Sequence, residues 1–380
     1  MLFAISPVSV RWEIFAILLL TSVLSSCRAT QSRTEHIIIH STEIPASKRQ
    51  FLGVRLQDDS GRFVAISNRL DSAGEAEGEP RAIQTFRLQE DAGSFTVNLE
   101  HEFLQPELLR PFRIEDNGDV LSWRGLNFLD DINKDQQIAR AFRNDAEIRD
   151  YPFPENFKDV FLLDPAPGRP GQRGQSLVVD STGRHLVIKT LDGNVVQLWQ
   201  QEDELKQVAL PASELREINM TCNDAAEVLF ITADAKIYGL DDNLDSLTEK
   251  SEFEWIRLHS AIINRVFQNS SYRMVASREI AALVDRETRR IHVLLLNGET
   301  AELEMFSSAD QTPAGRRRSD KDHAIDLKYP NRKLAERKEM ADNQVSLYCS
   351  LMVYGNNSIA VIDRDYQRVL VVSPKVETVE

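Results

Sequence analysis

A repeated strand–turn–strand unit constrains this chain more than any other feature. The segment Leu186 to Leu198 (LVIKTLDGNVVQL) aligns without a gap with Val228 to Leu240 (VLFITADAKIYGL), placing Asp192 and Asp234 in register 42 residues apart. A second pair joins Ala282 to Val293 (ALVDRETRRIHV) with Ala360 to Val371 (AVIDRDYQRVLV), and here Asp285 and Asp363 stand 78 apart. That is about twice a period near 40. Each unit is a Val/Ile/Leu-rich run, a turn holding Asp, and a second run. One such unit cannot bury both of its faces, so copies must stack.

Two further hairpins fit the same scheme. Phe51 to Leu56, Asp58-Asp59-Ser60-Gly61 and Phe63 to Ile66 form one; Phe112 to Glu115, Asp116-Asn117-Gly118-Asp119 and Val120 to Trp123 form the other. Asn-Gly and similar turns supply the positive φ that hairpins need. Short strands repeating at roughly 40 to 45 residues are the mark of propeller blades. The expected fold is therefore all-β, a β-propeller of about six to seven blades at about 45 residues each. Closing the ring brings the chain ends together, and the strand-like stretch Glu35 to Ser41 is placed to join the blade containing Val369 to Val372.

The expected division is a signal peptide at 1–26, a lipidated Cys and tether at 27–48, N-terminal β blades at 49–163, a Pro/Gly connector at 164–175, and further blades at 176–376 with a basic insert at 315–340. Asp131 to Asp150 has helix-compatible composition. A rival layout puts one β domain before about Leu163 and a smaller propeller or β-sandwich after Gln175.

Leu177 to Gln200 resembles a blade of the WD-repeat family. Ser181-Thr182-Gly183 stands where that family has a Ser-x-Asp-Gly turn, and Asp192-Gly193 and Leu198-Trp199 match its later turn and strand end. The Asp285 and Asp363 hairpins resemble pyrroloquinoline-quinone-type propeller repeats, with an aspartate before the turn and β-branched residues after it.

The amino end carries a different signature. The apolar run Ile14 to Val23 is about half the roughly 20 residues a spanning helix needs and has the length of a signal-peptide core. With Leu24-Ser25-Ser26-Cys27 after it, the segment resembles the lipobox of bacterial lipoproteins. That resemblance implies cleavage before Cys27, acylation of Cys27 (diacylglycerol, palmitate-type chains) and a membrane anchor in the cell envelope. Arg28 after the Cys points to the periplasmic face of the outer membrane. An ordinary cleaved signal and an uncleaved anchor are the alternatives.

Chemistry-bearing patterns are sparse. The formal charge of −14 argues against a general nucleic-acid binder, which needs a cationic face to displace counterions. Nucleophile elbow, phosphate loop and His-Glu-x-x-His are missing, so no catalytic residue, cofactor or metal is expected. His36 and His40 share a face if their segment is a strand; they read as exposed histidines flanking a buried Ile38 rather than a metal pair. The acid pairs Asp58/Asp59, Asp130/Asp131 and Asp241/Asp242 read as turn residues, and the recurring Asp192, Asp234, Asp285 and Asp363 as structural. Trp123 and Trp199 read as packing between blades, and Trp255, in an alternating strand, as core. Cys222 and Cys349 are buried thiols or a disulfide. Gly315 to Met340 holds nine cations against five anions; within it Arg316, Arg317, Arg318, Lys321, Arg332 and Lys333 are candidate contacts for a partner, or a solvated loop.

The expected function is a non-enzymatic, lipid-anchored scaffold that binds an envelope protein. The alternative is a propeller hydrolase or lactonase, or a quinone-dependent dehydrogenase, with its site in the central channel.

Overall fold

The computed structural model of the chain describes residues 35–45, 49–57, 60–69, 81–105, 109–124, 140–149, 176–179, 185–191, 194–201, 204–209, 219–222, 228–232, 234–240, 247–267, 272–306, 343–347, 349–364 and 366–375. The strands among them form six sheets. After β1 (Ile37–Glu43) come blade one, β2 (Arg49–Gln57), β3 (Arg62–Arg69), β4 (Arg81–Asp91) and β5 (Ser94–Gln105), and blade two, β6 (Leu109–Ile114), β7 (Val120–Arg124), β8 (Arg140–Arg143) and β9 (Ala146–Ile148). Blade three is β10 (Ser176–Val179), β11 (His185–Leu191), β12 (Asn194–Gln201) and β13 (Glu204–Ala209); blade four is β14 (Asn219–Cys222), β15 (Val228–Ile231), β16 (Ile237–Leu240) and β17 (Leu247–Glu249). Blade five is β18 (Tyr272–Ala276), β19 (Ile280–Asp285), β20 (Arg290–Leu295), β21 (Thr300–Phe306) and β22 (Gln344–Ser346); blade six is β23 (Cys349–Tyr354), β24 (Ser358–Asp363) and β25 (Arg368–Pro374). A 3-10 helix (Ser251–His259) and α1 (Ser260–Phe267) lie between blades four and five.

Within each blade consecutive strands pair antiparallel, save β22, which runs parallel to β21. The first strands meet in turn: β2 lies against β6, β6 against β10, β14 against β18, β18 against β23, and β23 back against β2. The chain is a β-propeller. Its last blade is completed from the other end of the chain: β1 is the outer strand of blade six, with Ile37 opposite Pro374 and Glu43 opposite Arg368. The strand expected at Glu35 to Ser41 thus closes the ring, and closure leaves fewer open sheet edges.

Side-chain alternation explains the packing. Along β20, Ile291, Val293 and Leu295 join the apolar cluster shared with blade six. Leu294 joins the cluster shared with blade four and the helices. The period of two on a doubly covered strand sorts neighbouring residues into opposite seams.

Four expectations change. Ile37 rather than Ile38 is buried in β1; Ile38 is 42 % exposed. Arg140 to Ile148 is a hairpin, not part of a helix. Asn144 takes φ 55 at the turn, and its Oδ1 accepts the Val120 N–H at 2.9 Å. Arg143 grips Glu115 through Nε at 2.7 Å and Nη2 at 3.2 Å, so tertiary contacts override propensity. Trp255 lies in the 3-10 helix, not a strand. The buried residues Phe253, Ile256 and His259 recur every third position, the 3-10 repeat, and Ile263 and Val266 continue the stripe into α1. Finally, Asp285 and Asp363 belong to adjacent blades. Their separation of 78 spans one blade and the long stretch between β21 and β22, not two blades.

Candidate functional site

The β20–β21 turn builds one wall of a cleft between blades five and six. Its sequence is Leu295-Leu296-Asn297-Gly298-Glu299. Leu295 N–H donates to Glu299 O and Gly298 N–H to Leu295 O, both at 3.0 Å. Gly298 takes φ 87, a conformation that side chains rarely adopt. Asn297 fixes the turn further: its Oδ1 accepts the Glu299 N–H at 3.0 Å and its Nδ2 donates to Glu299 Oε2 at 2.8 Å. The Glu115 to Asp119 turn repeats this pattern of backbone and Asn117 bonds.

The opposite wall comes from blade six. Lys375 N–H donates to His36 O at 2.8 Å, which lays the start of β1 beside the end of β25. His36 Nδ1 lies 2.9 Å from Glu299 Oε2, and its Nε2 lies 3.6 Å from Glu35 Oε1. Leu296 N–H donates to Glu279 O at 3.0 Å. Together Glu35, His36, Glu279, Leu295, Leu296, Asn297, Glu299, Pro374 and Lys375 enclose about 650 Å³. The floor is apolar, with Leu295 buried and Leu296 49 % exposed, and the rim carries three carboxylates. Gly298 borders Leu258, which is 66 % exposed. From below, His259 Nε2 sits 2.8 Å from Leu295 O; burial pushes the imidazole below its usual range against the pull of that bond.

A second polar cluster lies in the seam between blades four and five. His292 Nε2 is 3.5 Å from Asp285 Oδ2 and Nδ1 is 3.3 Å from Glu302 Oε1. Arg265 of α1 brings Nη2 within 3.3 Å of His292 Nε2, and Arg290 Nη1 donates to Glu302 Oε2 at 2.5 Å. Burial lowers the His292 pKa despite the opposing charges of Glu302 and Asp285. Burial also opposes ionisation of Asp285, yet the bonds from Thr288 and His292 prevail and hold its carboxyl below the usual range. A base oriented by a carboxylate is the arrangement a nucleophilic enzyme uses. Here the two side chains are 2 % and 1 % exposed, which leaves no face open to a substrate. The pair is structural.

Asp285 and Asp363 bear out the structural reading of the recurring aspartates. Asp285 Oδ1 accepts the Glu287 and Thr288 N–H groups at 3.1 Å. Asp363 accepts from Tyr366 N–H at 3.3 Å and from Ser346 N–H at 3.1 Å. Each turn ends on a positive φ, Arg289 at 55 and Gln367 at 47. Each of those residues offers its carbonyl to the outer strand region, to Met305 N–H and Ile44 N–H respectively, both at 2.8 Å.

His36 and His40 do not pair. His36 meets blade five, whereas His40 packs on Phe95 of blade one with ring centroids 5.3 Å apart. No group of three or more metal-binding side chains occurs among the described residues. Trp255 is buried in the blade-four core, as packing rather than recognition requires. Cys349 is half-buried against the blade five–six core. No helix among the described residues is long and apolar enough to cross a membrane. Cys27, Arg316, Arg317, Arg318, Lys321, Arg332 and Lys333 lie outside the described residues, as do Asp58, Asp59, Asp130, Asp131, Asp192, Asp241, Asp242 and the connector at 164–175. The side chains of Trp123, Trp199 and Cys222 do too. Sequence reasoning missed Glu279, Leu296, Glu299 and Lys375. The Asn297-Gly298 pair signalled the turn, but only ring closure brings residues 35, 279, 299 and 375 together.

No family model matches the chain, and no curated protein matches it in sequence. Solved structures similar to it include virginiamycin B lyase from Staphylococcus aureus, at 10 % identity over 89 % of this chain and 99 % of that one, with a TM-score of 0.38. YCF48 from Cyanidioschyzon merolae is similar at 10 % identity over 90 % of this chain and 100 % of that one, with a TM-score of 0.39.

Proposed function

We propose that this propeller is a lipid-anchored protein-binding scaffold of the cell envelope, without a catalytic site. The observation that supports this reading most is the polarity of the ring. The chain enters at the Ile37 end of β1, beside the acidic cleft. The stretch bearing Arg316 to Arg318, Lys321, Arg332 and Lys333 joins β21 to β22 at the opposite end of blade five, where Glu304 N–H donates to Asn343 O at 2.9 Å. An anchor at Cys27 would hold the cleft face towards a bilayer and turn the roots of the basic stretch away from it. The acidic cleft and the basic stretch of sequence then suit different partners, since complementary charge steers encounter.

The test combines labelling and cross-linking in cells of a lipoprotein-making bacterium. Palmitate should label the wild type, and Cys27→Ala should lose both the label and pelleting with membranes. A photo-reactive residue at Arg317 or at Leu296 should each yield a discrete cross-linked product. An unlabelled, soluble wild type with no cross-link at either position would reject the reading.

A further inference from the structure

We propose that the cleft between blades five and six docks a segment of a partner protein that carries both lysine or arginine and leucine-type side chains. This deepens the scaffold reading and rests on it. Three observations converge. First, the cleft is a concavity of about 650 Å³, within the range that holds a few side chains. Second, its surface is amphipathic. Leu296 and Leu258, 49 % and 66 % exposed, flank the same rigid turn. Of the two, Leu296 lines the concavity above the buried Leu295, and a large apolar side chain exposed in a concavity rimmed by polar groups marks an interaction surface. Third, the polar rim is biased. Glu35, Glu279 and Glu299 face Lys375 and His36, and among the described residues the Glu279 carboxylate has no ion-pair partner.

These features select the occupant. An aliphatic side chain would cover Leu296, removing its surface from water. An ammonium or guanidinium beside it would meet Glu279 and Glu35. An acidic segment would leave the carboxylates repelled, and a purely polar cation would leave Leu296 wet. Position narrows the choice. Cys27 and Glu35 are eight residues apart, a reach of at most about 28 Å when extended, so an acylated chain would present this cleft close to the membrane surface. The segment it takes is therefore a membrane-proximal one.

Binding is read by fluorescence anisotropy of the full chain with a dansylated Leu-Lys-Leu-Lys-Leu amide. The controls are Ser-Lys-Ser-Lys-Ser and Leu-Glu-Leu-Glu-Leu amides, spermine as competitor, and vesicles of neutral and anionic phospholipid. The first peptide should bind at least ten-fold tighter than either analogue. Glu279→Gln with Glu299→Gln, and separately Leu296→Ser, should each weaken it at least five-fold. Asp91→Asn, an exposed acid on blade one, should leave it unchanged. Equal binding of the Ser-Lys peptide, or full competition by spermine, would mean a simple cation site and overturn the proposal. So would a Leu296→Ser variant that loses vesicle binding while keeping the peptide, since the occupant would then be lipid. If the peptide fails but the photo-reactive residue at Arg317 still captures a partner, the cleft assignment falls and the scaffold reading stands. If neither captures anything, both fall.

Discussion

Blade five presents two unlike faces from the same strands. Towards blade six, Ile291, Val293 and Leu303 sit in an apolar cluster, at whose edge blade six contributes the buried Asp363, which accepts the Ser346 N–H of blade five. Towards blade four, Arg290 and His292 alternate with them and meet Asp285, Glu302 and Arg265. Blade six repeats the hairpin of blade five, but Leu370 replaces His292. The two equivalent aspartates respond in opposite directions. Asp285 is held below the ordinary value of 3.8 by Thr288 and His292 against the effect of burial. Asp363 is raised above it, because burial outweighs the bonds from Ser346 and the charge of Arg368. One turn geometry therefore accommodates carboxyls shifted in opposite directions, according to the balance of burial against the bonds each receives. The apolar contacts of Ile291 should contribute independently of pH, whereas the carboxyls of Asp285 and Asp363 should not.

The largest effect should come from the apolar side. Ile291→Ala, at a fully buried position, should destabilise the ring by about 3 kcal/mol, with the same change in denaturant midpoint at pH 5 and pH 7. A strongly pH-dependent loss would break the contrast. Asp285→Asn should remove about 2 kcal/mol at neutral pH, the scale of bonds to a charged acceptor. Its lowered pKa places that contribution above 3.8, to be lost as pH falls through the folded value. Urea melts at several pH values should therefore show the variant converging on the wild type in acid.

Gly298→Ala meets no steric obstacle, since its nearest neighbour would be Leu258 Cδ1 at 3.7 Å. The positive φ alone should cost about 1 kcal/mol, read as a lowered melting temperature. His292→Leu copies blade six. The lowered pKa of His292 means that its neutral form contributes stability above 6.5, lost as pH falls. The variant should flatten the decline below pH 6.5, and an unchanged slope would reject the assignment. Asp363→Asn should be the mildest change at neutral pH. Its raised pKa gives a contribution present below 3.8 and lost as pH rises through the folded value, so the variant should lose stability less steeply than the wild type from acid to neutral.

Much of the fold was legible because it rests on local pattern. Asp192 and Asp234 mark the second-to-third strand connections of adjacent blades, and the strand before Ser41 does close the ring on Val369 to Val372. The failures have local causes as well. Glu252-Phe253-Glu254-Trp255 alternates like a strand, and only the spacing of Phe253, Ile256 and His259 reveals the helix. Arg140 to Arg143 looked helical until Glu115 and Val120 supplied partners from another hairpin. The cleft was invisible for a different reason. Its residues come from both ends of the chain and from two turns of blade five, so no stretch of sequence contains it.

The central claim is that β1 closes the ring as the outer strand of blade six. Cross-linking of Ile38→Cys to Ser373→Cys, which face each other across β1 and β25, tests it most directly in a background with Cys222 and Cys349 changed to Ser. Mild oxidation should join them quantitatively in the folded protein, with Ile38→Cys and Val371→Cys, two positions out of register, joining poorly. Free thiols in the first pair under native conditions, or equal yields from both pairs, would contradict a closed ring.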